Sequence, residues 1–174
     1  MSNNLTLDIE VDTTCNPNDV RRALRHIAST VHVIATRVPD GAFFATTATA
    51  VVSACLEPPT LAFCINRSAT IAKFLNVGSK LSVSALNRNQ AEVARACAGG
   101  LPHEERERFF SASNTAGCLY VNDADVSFIG ECSRILDVGT HALCFLNVQE
   151  VIKNTAVRPL LYLDTQYGVF EAHP

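Results

Sequence analysis

The 174 residues carry 14 Lys and Arg against 17 Asp and Glu, a formal net charge of −3 and a pI near 5.9. No basic stripe runs through the chain, so nucleic acid and anionic membrane surfaces are excluded as electrostatic partners. The length fits one domain with a real core, no window approaches the ~20 apolar residues of a membrane span, and seven cysteines without C-x-x-C spacing fit a reduced, cytoplasmic protein in which most are small buried side chains.

In chain order, residues 1–15 lack the basic and long apolar regions of a secretory signal and read as a flexible arm, leaving residues 16–174 as a single domain. "NPNDVRRALRHIAS" is the first predicted helix, with Asn16 as N-cap, Pro17 at the first position and Val20, Leu24 and Ile27 on one face. "VHVIATR" (31–37) has strand composition. "PDG" (39–41) would turn it into "AFFATTATAVVSA" as a hairpin. "TLAFCIN" (60–66) is a further strand, and "SATIAKFLNVG" reads as a short helix capped by Ser68 and ended near Gly78. "KLSVSALN" alternates Leu81, Val83 and Ala85 with Ser82 and Ser84, the pattern of a half-buried strand. "QAEVARACAGG" and "PHEERERFF" are helical, the first stopped by Gly99 and Gly100. "ADVSFIGECSRILDVG" passes through Gly139 into "THALCFLNVQEVI", and "PLLYLD" with "YGVF" closes the chain. Strands dominate, helices are short, and the strand–helix alternation of a parallel sheet is missing. The expected architecture is an antiparallel barrel with peripheral helices.

Several chemistries are excluded by motif. The chain has no G-x-G-x-x-G, no G-x-x-x-x-G-K-[ST], no G-x-S-x-G and no zinc-like Cys/His spacing, and "HEERE" at 103 lacks the second His of a zincin helix. An enzyme with this sequence would leave the difficult chemistry to an organic cofactor.

Two stretches suggest where one could sit. In "TTATAVVSACLEPP" (46–59), a continuous strand would place Thr47, Thr49, Val51 and Ser53 on one face and Thr46, Ala48, Ala50 and Val52 on the other. Small side chains let a flat ring approach the backbone, while hydroxyls and amides meet its polar edge and a polyol tail. Plain strand propensity with alanines in tight packing explains the same composition. In "NRSAT" (66–70), Arg67, the Ser68 and Thr70 hydroxyls and a helix start form a phosphate cradle, or else an ordinary Ser cap beside a solvated Arg.

Taken together, "RHIASTVHVIAT", "TTATAVVSACLEPPTLAFCINRSAT", "KLSVSALNRNQAEVARACA", "RILDVGTHALCFLNVQEV" and "PLLYLDTQYG" resemble the short-chain flavin reductases, the reductase components of two-component flavin-dependent monooxygenases, over roughly residues 20–170. The chain departs from the family pattern at Thr30, where glycine is usual, at Thr140, where an acidic residue is usual, and at Cys55, where Ser is common.

The resemblance implies a mainly β, antiparallel split β-barrel of the FMN-binding type, assembled as a homodimer. It implies that FMN or FAD takes hydride from NADH or NADPH, and that reduced flavin leaves for a partner monooxygenase. No protein acid or base is needed for hydride to pass between stacked cofactors, and no metal is implied. By the same resemblance the flavin ring and ribityl chain would meet Thr47, Ala48, Thr49 and Ser53, with Ala54 and Cys55 continuing the wall. Asn66, Arg67, Ser68 and Thr70 would hold the phosphate. His141 would reach the nicotinamide, and Tyr167 either closes that pocket or packs as an ordinary aromatic. A protein of this fold that retains its flavin and reduces another acceptor, or one that only binds flavin, stays open as an alternative.

Overall fold

A computed structural model describes residues 16–115 and 117–172, so the expected arm over 1–15 lies outside the described residues. Helix α1 (Pro17–Leu24) starts where predicted: Asn16 Oδ1 accepts from the N–H groups of Asn18 at 2.9 Å and Asp19 at 3.2 Å. Its apolar face is not buried. Val20, Leu24 and Ile27, which share that face, are all exposed.

Strands β1 (Ser29–Thr30), β2 (His32–Arg37), β3 (Phe43–Ala48), β4 (Val51–Leu56) and β5 (Pro59–Asn66) follow. The predicted hairpin between β2 and β3 forms, but residues 42–54 are two strands rather than one. The reason is topological. A seven-stranded antiparallel sheet has the order β3-β2-β6-β9-β10-β5-β4, with β6 at Lys80–Ala85, β9 at Val126–Val138 and β10 at His141–Lys153. β3 and β4 therefore lie at opposite edges, and the chain crosses between them through Thr49 and Ala50. The Cys64 N–H donates to the Ala50 carbonyl at 3.0 Å, which carries the β4–β5 ladder one residue back into the crossing.

A four-residue 3-10 turn, Thr70–Lys73, replaces the helix expected from Ser68. Ser68 does not cap it. Its N–H and hydroxyl both turn back to Asn66 Oδ1, at 2.9 and 2.8 Å, because the Asx turn at Asn66 is the closer partner. Helix α2 (Ala91–Arg95) continues as a wider turn to Gly100, with Gly99 at φ +114. Helix α3 (His103–Arg106) leads to a short pair, β7 (Phe110–Ala112) and β8 (Leu119–Val121). β11 (Leu160–Leu163) and β12 (Gln166–Val169) form the closing hairpin, and β1 joins them in a three-stranded sheet.

The core lies on both faces of the barrel wall. Ile34, Phe63, Ile65, Leu81, Val83 and Leu146 fill the interior. Val33, Ala35, Phe43, Ala45, Ala94 and Leu160 pack between the wall and the outer helices. Alternate residues of β2 feed the two clusters, which is why that strand reads as a continuous apolar run. β6 is buried on both faces as well, contrary to its half-buried pattern. The Ser82 hydroxyl donates to the Leu119 carbonyl at 2.5 Å, and Ser127 donates to the Ser84 hydroxyl at 2.8 Å, so both serines sit inside without an unmade hydrogen bond. Gly130 marks a close approach: a Cβ there would overlap the Asn147 carbonyl of β10. Cys97, Cys118, Cys132 and Cys144 are buried, with burial pushing the Cys97 thiol up to about 12 against the opposing charge of Arg106. No helix among the described residues is long and apolar enough to cross a membrane.

Candidate functional site

The site begins at the free edge of β3. β3 pairs with β2 on one side only. In an antiparallel strand the N–H and C=O of one residue point to the same side, and alternate residues share that side. The Ala45 carbonyl accepts from Arg106 Nη1 at 2.7 Å on the open side, so the backbone of Thr47 faces the open side too. The Thr47 hydroxyl does not. It donates to the Ala94 carbonyl at 2.6 Å and pins β3 to α2. Thr47 thus offers its backbone amide and carbonyl rather than the hydroxyl that composition suggested. Arg106 is itself buried and also donates to the Leu101 carbonyl at 2.7 Å, so the open edge is held rigid from the helical side.

Across from this edge stands the end of β5. Cys64 N–H points towards Ala50, and by the same parity Asn66 N–H points the same way, past the last residue of the crossing. His141, the first residue of β10, pairs in register with Asn66. The three segments enclose a cleft of about 280 Å³ lined by Thr46, Thr47, Ala48, Thr49, Ala50, Cys64, Ile65, Asn66, Ala69 and His141. Its walls carry three alanines and no side chain larger than Ile or His. His141 is exposed, with Nδ1 3.0 Å from the Thr140 hydroxyl.

Of the residues singled out in sequence, the structure therefore brings Thr47, Ala48, Thr49, Asn66 and His141 into one cleft. Arg67 points elsewhere. Its Nη1 meets Asp137 Oδ1 at 2.9 Å, and both line a neighbouring cavity together with Lys73. Ser68 and Thr70 lie on the exposed turn between the two spaces. Ser53, Ala54 and Cys55 lie on the outer edge strand β4, exposed, with an irregular register between Ser53 and Cys55, and they do not line the cleft. Tyr167 packs against Tyr162, with ring centroids 5.5 Å apart, and lies under Arg95, outside the cleft lining. Burial raises its phenol, and Arg95 opposes that. The cleft residues missed in sequence, Thr46, Ala50, Cys64, Ile65 and Ala69, carry no signal except their position beside the crossing and the turn.

Behind the cleft, His32 stands opposite Ala48 in the β2–β3 register and faces the barrel interior. It is only 7% exposed, and its Nδ1 has no hydrogen-bond partner among the described residues. Desolvation lowers its pKa to about 4, with the Thr30 backbone acting weakly the other way.

The family model described as the flavin reductase like domain matches residues 24–171. The chain belongs to this family. The FMN reductase (NADH) RutF of Enterobacter cloacae subsp. cloacae is 31% identical over 160 residues, spanning 89% of this chain and 94% of that one. A protein of Haemophilus somnus 129PT, solved by crystallography, superposes with a TM-score of 0.81 at 28% identity over 90% of this chain and all of that one. The flavin reductase of styrene monooxygenase from Pseudomonas putida S12 superposes with a TM-score of 0.79 at 21% identity, covering 90% of this chain and 99% of that one. The flavin reductase-like chain thus has the antiparallel split β-barrel that its sequence predicts, and its cleft lies where the two edges of the barrel sheet approach each other.

Proposed function

We propose that the protein is an NAD(P)H:flavin oxidoreductase that reduces FMN or FAD and releases the reduced flavin to a partner monooxygenase. The observation that carries this is the cleft between the open edge of β3 and the end of β5, where backbone donors and acceptors border alanine walls. The residues fit a flavin. A flat polar-edged ring needs a close, smooth approach to the backbone, and Ala48, Ala50 and Ala69 leave that space. A flavin, when bound, accepts hydride from a nicotinamide and carries it away in reduced form.

The chain's own residues bind and orient. Thr47 presents its backbone to the ring edge, held in place by the Ala94 and Arg106 contacts at either side. Asn66 and the turn through Ser68 and Thr70 border the phosphate end, and Arg67 serves it by leaving Asp137 and turning back from the neighbouring cavity. His141 stands at the open mouth, where a nicotinamide would stack. Ser53, Ala54 and Cys55 act in a different setting from the one composition suggested. They lie on β4, an open edge strand that also exposes Val52 and Leu56, and a second copy of the chain covering that strand would bring them to the rim of a shared site. The enzyme is a homodimer in this proposal. Tyr167 keeps a packing role in cluster with Tyr162. The relative named as an NADH-dependent FMN reductase supports the cofactor pair, and the neighbour named for styrene monooxygenase supports a monooxygenase partner.

The test mixes the protein with NADH or NADPH and each of riboflavin, FMN and FAD, and follows the nicotinamide absorbance band. Oxidation dependent on added flavin, together with loss of flavin on gel filtration, is expected. No oxidation with any flavin would reject the activity, and tight retention of flavin would reject the diffusible product.

A further inference from the structure

Arg106 carries a permanent positive charge and is only 6% exposed. Every acceptor it holds is neutral. Nε donates to the Leu101 carbonyl at 2.7 Å, and Nη1 donates to the Ala45 carbonyl at 2.7 Å and the Cys97 carbonyl at 3.5 Å. His103 Nδ1 lies 3.2 Å from Nη1, and a guanidinium only donates, so this Nδ1 accepts and the imidazole is neutral. Arg106 makes no ion pair among the described residues: Glu107 beside it in the chain pairs with Arg37, and Glu104 and Glu105 are exposed. Burial first, and the Arg106 charge after it, hold the His103 ring below the usual histidine range. A buried charge without a counter-ion is unfavourable, and carbonyl dipoles offset only part of that.

We propose that this unneutralised charge favours the reduced, anionic flavin over the oxidised, neutral one in the cleft. The proposal rests on the flavin reading of the cleft and adds to it a residue outside the lining. A hydride brings two electrons and one proton to a neutral flavin, so the reduced ring carries one negative charge and the nicotinamide leaves with its ring positive. The negative charge arises on a ring whose polar edge meets the open side of β3. Arg106 Nη1 sits on that same side, at Ala45, and Thr47 is two residues along the strand. Two residues span about 7 Å, so a group bonded to the Thr47 backbone stands about 7 Å from Nη1. Ala94 and Cys97, both buried, meet the two ends of this span, so the interaction runs through protein rather than bulk water. At an effective dielectric of about 20, a unit charge at that distance gives a preference on the order of ten- to fiftyfold. Arg106 touches no reacting atom: it is a positioning residue that acts through its field and through the strand it holds. Release is set by the absolute affinity, so a preference of this size is compatible with a diffusible product.

The test titrates the full chain anaerobically with oxidised FMN and with FMN reduced by dithionite, and reads the ratio of the two dissociation constants. The phosphate is common to both forms and cancels in the ratio. His103→Asp sets a carboxylate beside Nη1 and leaves every carbonyl contact of the guanidinium in place. His103→Asn is its neutral isostere, and Arg106→Met removes the charge itself. The preference for reduced over oxidised FMN is expected to fall by about tenfold or more in His103→Asp and Arg106→Met, and to stay within about threefold of the wild type in His103→Asn. The same ratio in His103→Asp and His103→Asn overturns the proposal, and this comparison holds where Arg106→Met fails to fold. Equal weakening of both forms in Arg106→Met, with the ratio unmoved, shows that Arg106 only supports β3 and overturns it as well. A wild type that binds neither form of FMN fails the flavin reading of the cleft, and this proposal with it; binding with an unmoved ratio fails this proposal alone.

Discussion

Lowering the pH from 7.5 to 5 should destabilise the protein through His32, and the size of the effect follows from its burial. In the unfolded chain the imidazole titrates near its ordinary 6.5; in the fold it titrates near 4, because burial disfavours the charged ring. Above 6.5 both states are neutral and the stability is fully present. Between 6.5 and 4 the unfolded chain binds a proton that the fold refuses, so stability is lost as the pH falls through that window. The whole gap is worth about 3 kcal/mol, and about 2 kcal/mol is gone at pH 5. His32→Leu removes the titration. It also removes a buried nitrogen without a partner, so the variant should match or exceed the wild type at pH 7.5. Urea unfolding of both proteins at the two pH values gives the comparison, and the remaining histidines cancel in the difference. The variant should gain about 2 kcal/mol relative to the wild type on going to pH 5. An equal difference at both pH values would refute the assignment of the lost stability to this ring.

Three further outcomes are expected. Arg67→Ala should weaken FMN and FAD by about 1.5–3 kcal/mol and leave riboflavin, which has no phosphate, unchanged; fluorescence titration of the three flavins checks it. His141→Ala should raise KM for NADH or lower kcat, a loss of about 1–3 kcal/mol in kcat/KM, with flavin affinity held, as steady-state kinetics beside a flavin titration would show. Gly130→Ala should cost several kcal/mol in thermal or urea unfolding, on the order of 3 or more, because the new methyl overlaps backbone on β10 rather than a movable side chain.

The strands were legible wherever β-branched residues ran between turn signals, as in residues 31–37, 60–66 and the pair around Gly139. The crossing at Thr49 and Ala50 was not. It contains neither Gly nor Pro, and it exists because its two flanking strands belong to opposite sheet edges, a fact of topology rather than of local propensity. Hydroxyls misled in a consistent way. Ser82, Ser84 and Thr47 look like solvent or ligand groups by polarity, but each is consumed by an internal partner that no local window contains. The cleft was located because its small residues are contiguous in the chain. The direction taken by Arg67 was not, since its partner Asp137 lies far off in sequence and reaches it only through the β5–β10 pairing.

The hairpin of β9 and β10 has a consequence for how the molecule assembles in time. It joins two 13-residue strands through the two-residue turn Gly139–Thr140, with Gly139 at φ +56. It is the longest pairing in the sheet, and its loop is as short as the one between β4 and β5, so it can form while the rest of the chain is still searching. Once formed, its two outer edges are templates: β6 adds to β9, and β5 adds to β10. The cleft needs β5 seated against β10 to bring Asn66 to His141, and then β3 brought round beside β5. During synthesis, therefore, every residue of β3 leaves the ribosome long before the hairpin that will position it, and the cleft is complete only once β10 has followed.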